Sequence, residues 1–285
     1  MEFQILKNHR CIIGEGPVWN EKEQRLYFTN VSGGYEMCIF SPETDELHIR
    51  SLPLDVSAYA FSAKGEIIIS HAGGVDILND DSSLSPLYDK EKYKIDFAND
   101  MKVGPDGAIY VGTQSRRRKG LSDDVDGRLY RISSDGKVKI LIEGLLLSNG
   151  MDWSIDESRF YHADTDTEII KEYFFDKKSG DIEFTGRQVC IPGVDGFTIG
   201  LDNRLYIGCW GKGYIAVVDT ETMQLEKEIK IPAKIPTSCC FMGKNPDILA
   251  ITTASRTADI ESDENAGFTM LTKVGTKGRL PYLFG

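Results

Sequence analysis

One pattern returns six times along this chain, and its period restricts the fold more than any other feature of the sequence. A β-prone run, a polar turn and a second β-prone run read GPVWNEKEQRLYFTN at 16–30, AYAFSAKGEIIISH at 58–71 and DMKVGPDGAIYVGT at 100–113. They recur as GMDWSIDESRFYHADT at 150–165, GFTIGLDNRLYIGCW at 196–210 and SCCFMGKNPDILAITT at 238–253. Lys64-Gly65, Asp106-Gly107 and Asp202-Asn203 supply turn residues where a hairpin needs them. The centres of the second runs, Tyr27, Ile68, Tyr110, Tyr161, Tyr206 and Ala250, are spaced by 41, 42, 51, 45 and 44 residues. Propeller blades repeat at about 40–50 residues. A further pair of candidate strands follows the marker, as at 127–145 and 214–231, giving about four strands per unit, and no long amphipathic helix competes. The expectation is an all-β fold: a six-bladed β-propeller with four-stranded antiparallel blades, forming one domain over 1–285. A large β-sandwich is the alternative, but a sandwich requires no period.

Composition narrows the function. The chain has 33 basic and 44 acidic residues, a net charge of −11, whereas nonspecific nucleic-acid binding depends on many Lys and Arg contacts to phosphate. The dense basic run Arg116-Arg117-Arg118-Lys119 is local and is followed by Asp123, Asp124 and Asp126. No apolar run approaches the ~20 residues of a membrane span, and the N-terminal residues lack a secretory pattern, so a cytoplasmic protein is expected. A closed propeller needs no partner to complete its core, which makes a monomer plausible. The six cysteines show neither C-x-x-C nor zinc-finger spacing and read as buried free thiols.

In a propeller the innermost strand of each blade meets the central channel, so equivalent positions converge there. Counting back 11 or 12 residues from each marker gives Glu15, Ser57, Asn99, Asn149, Asp195 and Ser238, each expected just before its first strand. All six are polar. Carboxylates with an Asn carbonyl are hard oxygen ligands, suited to Ca²⁺, Mg²⁺ or Mn²⁺. A site with few protein ligands leaves positions open for water and substrate. The histidines fall in no ligand-spaced pair, and His71 and His162, at strand ends, read as structural. G-x-S-x-G, H-E-x-x-H and P-loop signatures are absent.

The segments GEGPVW at 14–19, NDMKVGPDGAIYVGT at 99–113, SNGMDWSIDESRFYHADT at 148–165, VDGFTIGLDNRLYIGCW at 194–210 and PTSCCFMGKN at 236–245 carry a resemblance, as does the ending GTKGRLPYLFG at 275–285. In these the chain resembles the gluconolactonase, regucalcin (senescence marker protein) and luciferin-regenerating enzyme family of calcium- or zinc-dependent propeller hydrolases. The resemblance implies metal ligands at Glu15, Asn149 and Asp195, a substrate-contacting Asn99 followed by Asp100, and Asp195 as the acid/base carboxylate. It departs at Phe97, where regucalcin-like members have Arg, and in the Arg116-Arg117 region, where they have a substrate-contacting Glu. A relocated positive charge, at Arg117 or Arg116, suits a lactone carrying a carboxylate or phosphate.

The resulting expectation is a metal-dependent hydrolase that opens a sugar lactone to its acid, with Ca²⁺ first and Zn²⁺, Mn²⁺ or Mg²⁺ as alternatives. The competing expectation is a calcium-binding propeller that binds a ligand or regulates a partner without turnover. Propellers host many unrelated functions.

Overall fold

The structure, a computed structural model, describes residues 1–285. It contains six four-stranded antiparallel sheets and one short 3-10 turn, Thr165–Thr167, with no α-helix. The inner strands are Ile13–Asn20, Val56–Phe61, Ala98–Val103, Ser148–Trp153, Val194–Ile199 and Pro236–Met242. Each opens a blade, and successive inner strands pack side by side around the axis. The six-bladed propeller expected from the period is the fold observed. No helix is long and apolar enough to cross a membrane.

The period exists because each blade repeats one hairpin. Gly65, Gly107 and Asn203 adopt φ of 89°, 73° and 56°, the left-handed region that glycine and asparagine enter at least cost. Each closes its turn through a backbone hydrogen bond, from Gly65 N to Ser62 O, Gly107 N to Gly104 O and Asn203 N to Gly200 O, at 2.9–3.0 Å. Three of the four tyrosine markers clasp the hairpin turn of their own blade, in blades one, three and five. The hydroxyl of Tyr27 donates to Glu23, that of Tyr110 to Asp106 and that of Tyr206 to Asp202, at 2.6–3.0 Å.

The core is divided among the interfaces rather than placed at the axis. Six apolar clusters each join two neighbouring blades. Edge-to-face aromatic pairs mark three of them: Tyr27 with Phe61, Tyr110 with Trp153 and Tyr206 with Phe241. Such pairs add about 0.5–1.5 kcal/mol each beyond the area they bury. A blade cannot bury either face alone, so stability depends on closing the ring.

Closure uses both ends of the chain. The outermost strand of blade six is Gln4–Leu6, which pairs with Thr269–Thr272. The tail crosses the hairpin end of the channel: Phe284 bonds backbone to backbone with Phe61, and Leu201 with Lys277. Beneath it Asp152 is held by Lys102 at 2.9 Å and by Arg279. Burial alone would raise the Asp152 carboxyl, but these two cations outweigh it and hold it below its usual range.

The cysteine expectation needs one correction. Cys11, Cys38, Cys209 and Cys239 are buried free thiols and Cys240 is nearly so, but Cys190 is exposed. It ends the outermost strand of blade four, Asp181–Cys190, where alternate residues face solvent.

Candidate functional site

The residues singled out by counting lie within the inner strands, not before them, and the reason is a repeated irregularity. Each inner strand breaks register with its neighbour near its first residues, between Glu15 and Val18, Val56 and Ala58, Ala98 and Met101, Asn149 and Met151, Val194 and Phe197, and Pro236 and Ser238. A β-bulge inserts one residue and re-aims a side chain. Here it does so six times around one axis. Glu15, Ser57, Asn99, Asn149 and Asp195 thereby line a single cavity of about 820 Å³ at this end of the channel. The sixth equivalent, by register, is Thr237 rather than Ser238. Its hydroxyl is spent on Gly14 O, 2.5 Å away, within the protein. Ser238 lies one residue further on and lines a separate cavity of about 80 Å³ beneath.

Glycine follows each of the three expected ligands, and the packing explains it. A Cβ on Gly16 would lie 2.8 Å from Ala58 Cα, one on Gly150 would lie 2.5 Å from Asp195 O, and one on Gly196 would meet the Ser238 hydroxyl. Neighbouring inner strands approach too closely there for any side chain. Blade three has Asp100 at this place instead, and Asp100 borders both cavities.

Three carboxylates, Glu15, Asp100 and Asp195, therefore share the floor. None of them belongs to an ion pair, whereas Asp76, Asp106, Asp152 and Glu172 elsewhere in the interior all do. Burial, followed by the charge of Asp100, pushes Glu15 up to about 8. Burial, then Glu15 and Asp100, pushes Asp195 well above the usual carboxylate range. Asp100 is raised by burial against the opposing pull of Lys102. Like charges held together out of water resist ionisation unless a cation joins them.

The donor set fits a divalent cation. Asn149 directs its Nδ2 to Asp195 Oδ1 and to Thr165 Oγ1, which leaves its carbonyl oxygen free for a cation beside the two carboxylates. Asn99 is fixed by its neighbours: its Nδ2 donates to Ser148 O at 3.1 Å, and Gln114 Nε2 donates to its Oδ1 at 3.0 Å.

The wall of the cavity is basic, but not where the sequence placed it. Arg117 is exposed and lies outside the lining. Arg118 and Lys119 line it instead, together with Lys212 and Arg256. Residues 115–121 form consecutive turns, so neighbouring side chains leave in different directions. Arg116 is turned to Asp126, and Arg118 reaches Asp166 at 2.9 Å. Lys119 is lowered by burial and then by Arg118 and Arg256.

One contributor, Gln114, carried no signal in the sequence, and two residues noted there for other reasons, Phe97 and His71, also line the cavity. Gln114 lies just past the second strand of blade three and orients Asn99. Phe97 lines the cavity at φ 57°, a conformation rare for a bulky residue and often found at functional sites. His71 also lines it, bonded to Asp76 at 2.6 Å. The structural role expected of His162 fits its burial against Ser148 at 2.7 Å, which with Lys171 nearby lowers it to about 3.

Comparison with known proteins extends this picture. The family model described as SMP-30/gluconolactonase/LRE-like region matches residues 13–255. A Bacillus subtilis (strain 168) protein provisionally named sugar lactone lactonase YvrE is 32% identical over 261 residues, covering 90% of this chain and 88% of that protein. Regucalcin from Oryctolagus cuniculus is 29% identical, covering 100% of this chain and 98% of its own. Among solved structures, a calcium-binding regucalcin from Agrobacterium tumefaciens str. C58 superposes with a TM-score of 0.87 at 21% identity, covering 100% of this chain and 97% of that one. A luciferin-regenerating enzyme does so at 0.86 and 24%, covering 99% of each chain.

Proposed function

Because the chain belongs to the SMP-30/gluconolactonase/LRE-like family, we propose that it is a divalent-metal-dependent lactonase that opens a sugar lactone to the corresponding sugar acid. The observation that carries this reading is the unpaired set of three carboxylates on the floor of an open cavity. A purely structural ion would need no such space beside it. Glu15, Asn149 and Asp195 would hold the cation, and hard oxygen donors of this kind suit Ca²⁺ first. When bound, it would supply Lewis-acid polarisation of the lactone carbonyl.

The chain's own groups account for the rest. Asn99, fixed by Gln114 and Ser148, keeps one amide hydrogen free to orient a substrate hydroxyl. Asp195, with Asp100 beside it, is placed to take a proton from the attacking water. Water adds to the carbonyl carbon, the ring carbon–oxygen bond breaks, and that proton passes to the departing ring oxygen, giving a hydroxy acid. The cation that Asp195 would hold favours its ionised form, the form that accepts a proton, and Asp100 is the second carboxylate within the floor able to do so. Arg118, Lys119, Lys212 and Arg256 give the wall a positive field that favours a lactone bearing a carboxylate or phosphate.

The test is acid release by chelator-stripped protein from neutral and anionic lactones, with each of Ca²⁺, Zn²⁺, Mn²⁺ and Mg²⁺ added back. Metal-restored hydrolysis, absent in Asp195→Asn and with KM for anionic lactones raised about tenfold in Arg118→Ala, is the expected result. Metal binding without turnover on any lactone would assign the cavity to ligand binding instead.

A further inference from the structure

The seam where the ring closes brings together three side chains that the cavity does not use. His9 and Cys11 lie on the segment running from the outer strand of blade six, Gln4–Leu6, to the inner strand of blade one, Ile13–Asn20. Cys38 lies on the third strand of blade one, Glu36–Ser41. One ligating atom from each falls within 4.8 Å of the other two. Sequence spacing hides this group, because Cys38 arrives from a strand far along the chain from the other two.

The segment is fixed in place. Cys11 N donates to Gly267 O at 2.8 Å, Cys11 O accepts from Ser255 Oγ at 2.7 Å, and Ile12 N donates to Asn30 Oδ1 at 2.7 Å. Both thiols are buried, at 1% and 0% exposure, while the His9 ring is 23% exposed and gives a route from solvent. Its Nε2 meets Glu36 Oε2 at 2.8 Å, and Asn30 Nδ2 donates to the same oxygen at 2.7 Å. A ligating histidine commonly gives its other ring N–H to a carboxylate, which fixes its tautomer and ring plane. With Nε2 engaged by Glu36, Nδ1 keeps its lone pair for a cation.

We propose that His9 Nδ1, Cys11 Sγ and Cys38 Sγ form a second metal site, for a thiophilic divalent cation with Zn²⁺ foremost, which joins the closing segment to blade one. In a tetrahedral zinc site the donors stand roughly 3.5 Å apart, so from the spacing within 4.8 Å found between the two thiols and the His9 ring the group needs only a small closure. Binding exchanges two S–H bonds for two metal–sulfur bonds and releases two protons to solvent, with no change in oxidation state. Two thiolates neutralise the dication, and the fourth position falls to water, which reaches the site past the partly exposed His9 ring. The donors are soft where those of the cavity are hard, so the two sites differ in metal preference. The proposal is independent of the lactonase reading.

The test is Co²⁺ titration of the reduced, metal-stripped full chain in excess Ca²⁺, followed by the near-ultraviolet thiolate-to-Co²⁺ charge-transfer band. The band is expected to saturate at one equivalent and to disappear when Zn²⁺ is added. Cys11→Ser and Cys38→Ser should lack it. Should either fail to fold, His9→Ala and Glu36→Gln, at partly exposed positions, give the decisive comparison, with affinity reduced about tenfold or more. Zn²⁺ at a hundredfold excess over its Kd should raise Tm by about 5 °C in the wild type. No thiolate band in folded, reduced protein would overturn the site. So would an unchanged band and affinity in His9→Ala, or a Cys11–Cys38 disulfide as the state that accounts for both thiols.

Discussion

Replacing Glu15 with glutamine keeps the shape of the cavity floor and removes one of its three ionisable carboxyl groups, and the structure gives the sign and size of the effect. In the folded chain Glu15 holds its proton up to about 8, against 4.5 for an unperturbed glutamate. The unfolded chain is ionised at pH 7 and the metal-free folded chain is not. The difference costs about 1.4 kcal/mol for each pH unit above 4.5, or about 3 kcal/mol at pH 7. Glu15 is half-buried, and water reaching the cavity reduces this to about 1–2 kcal/mol. Metal-free Glu15→Gln should therefore be more stable than the wild type by that amount at pH 7, raising Tm by about 2–4 °C. The gain should vanish near pH 4.5, where both states carry the proton. Divalent-cation binding and hydrolysis should both be lost. Thermal melts of chelator-treated wild type and variant at pH 4.5 and pH 7, with a Ca²⁺ titration of each, make the measurement. A metal-free variant less stable than wild type at pH 7, or equally stabilised at both pH values, would refute the reasoning.

The same linkage gives a second expectation. Folded Glu15 keeps a proton that the unfolded chain releases above about 4.5, while buried His162 refuses one that the unfolded chain takes up below about 6.5, so metal-free wild type should lose stability as pH rises chiefly between about 6.5 and 8, and saturating Ca²⁺ should flatten the fall. Gly16→Ala should cost about 2 kcal/mol or more by denaturant titration, because φ is +53° and the new Cβ would lie 2.8 Å from Ala58 Cα. Asp152→Ala strands Lys102 and Arg279 beneath the channel and should cost about 3–5 kcal/mol, with little change in cation affinity at the cavity. Deleting residues 1–6 removes the strand paired with Thr269–Thr272. It should lower Tm and promote association through the exposed edge, readable by size-exclusion chromatography.

The blade period was legible because one hairpin with a left-handed turn residue is repeated in each blade, and a tyrosine clasps it in blades one, three and five. Five of the six counted positions meet in the cavity for the same reason. The sixth count slipped by one residue because Ala250 pairs with Cys240, ten residues back, where the other markers pair eight or nine back, and this longer hairpin moves the equivalent place to Thr237. Gln4–Leu6 was too short to announce itself as a strand, and its partner lies at the far end of the chain. Arg118 takes the place expected of Arg117 because tight turns rotate successive side chains away from one another. The contact between Gln114 and Asn99 depends on two strands meeting, which no local pattern encodes.

The central claim is that one cation on the cavity floor and the lactone-opening step belong to the same site. It is tested most directly by titrating Ca²⁺ into stripped protein while recording occupancy and acid release in the same sample. Turnover should rise in proportion to the occupancy of one ion held through Glu15, Asn149 and Asp195. Full occupancy with acid release no faster than the spontaneous rate, or hydrolysis that persists undiminished without metal, would contradict it.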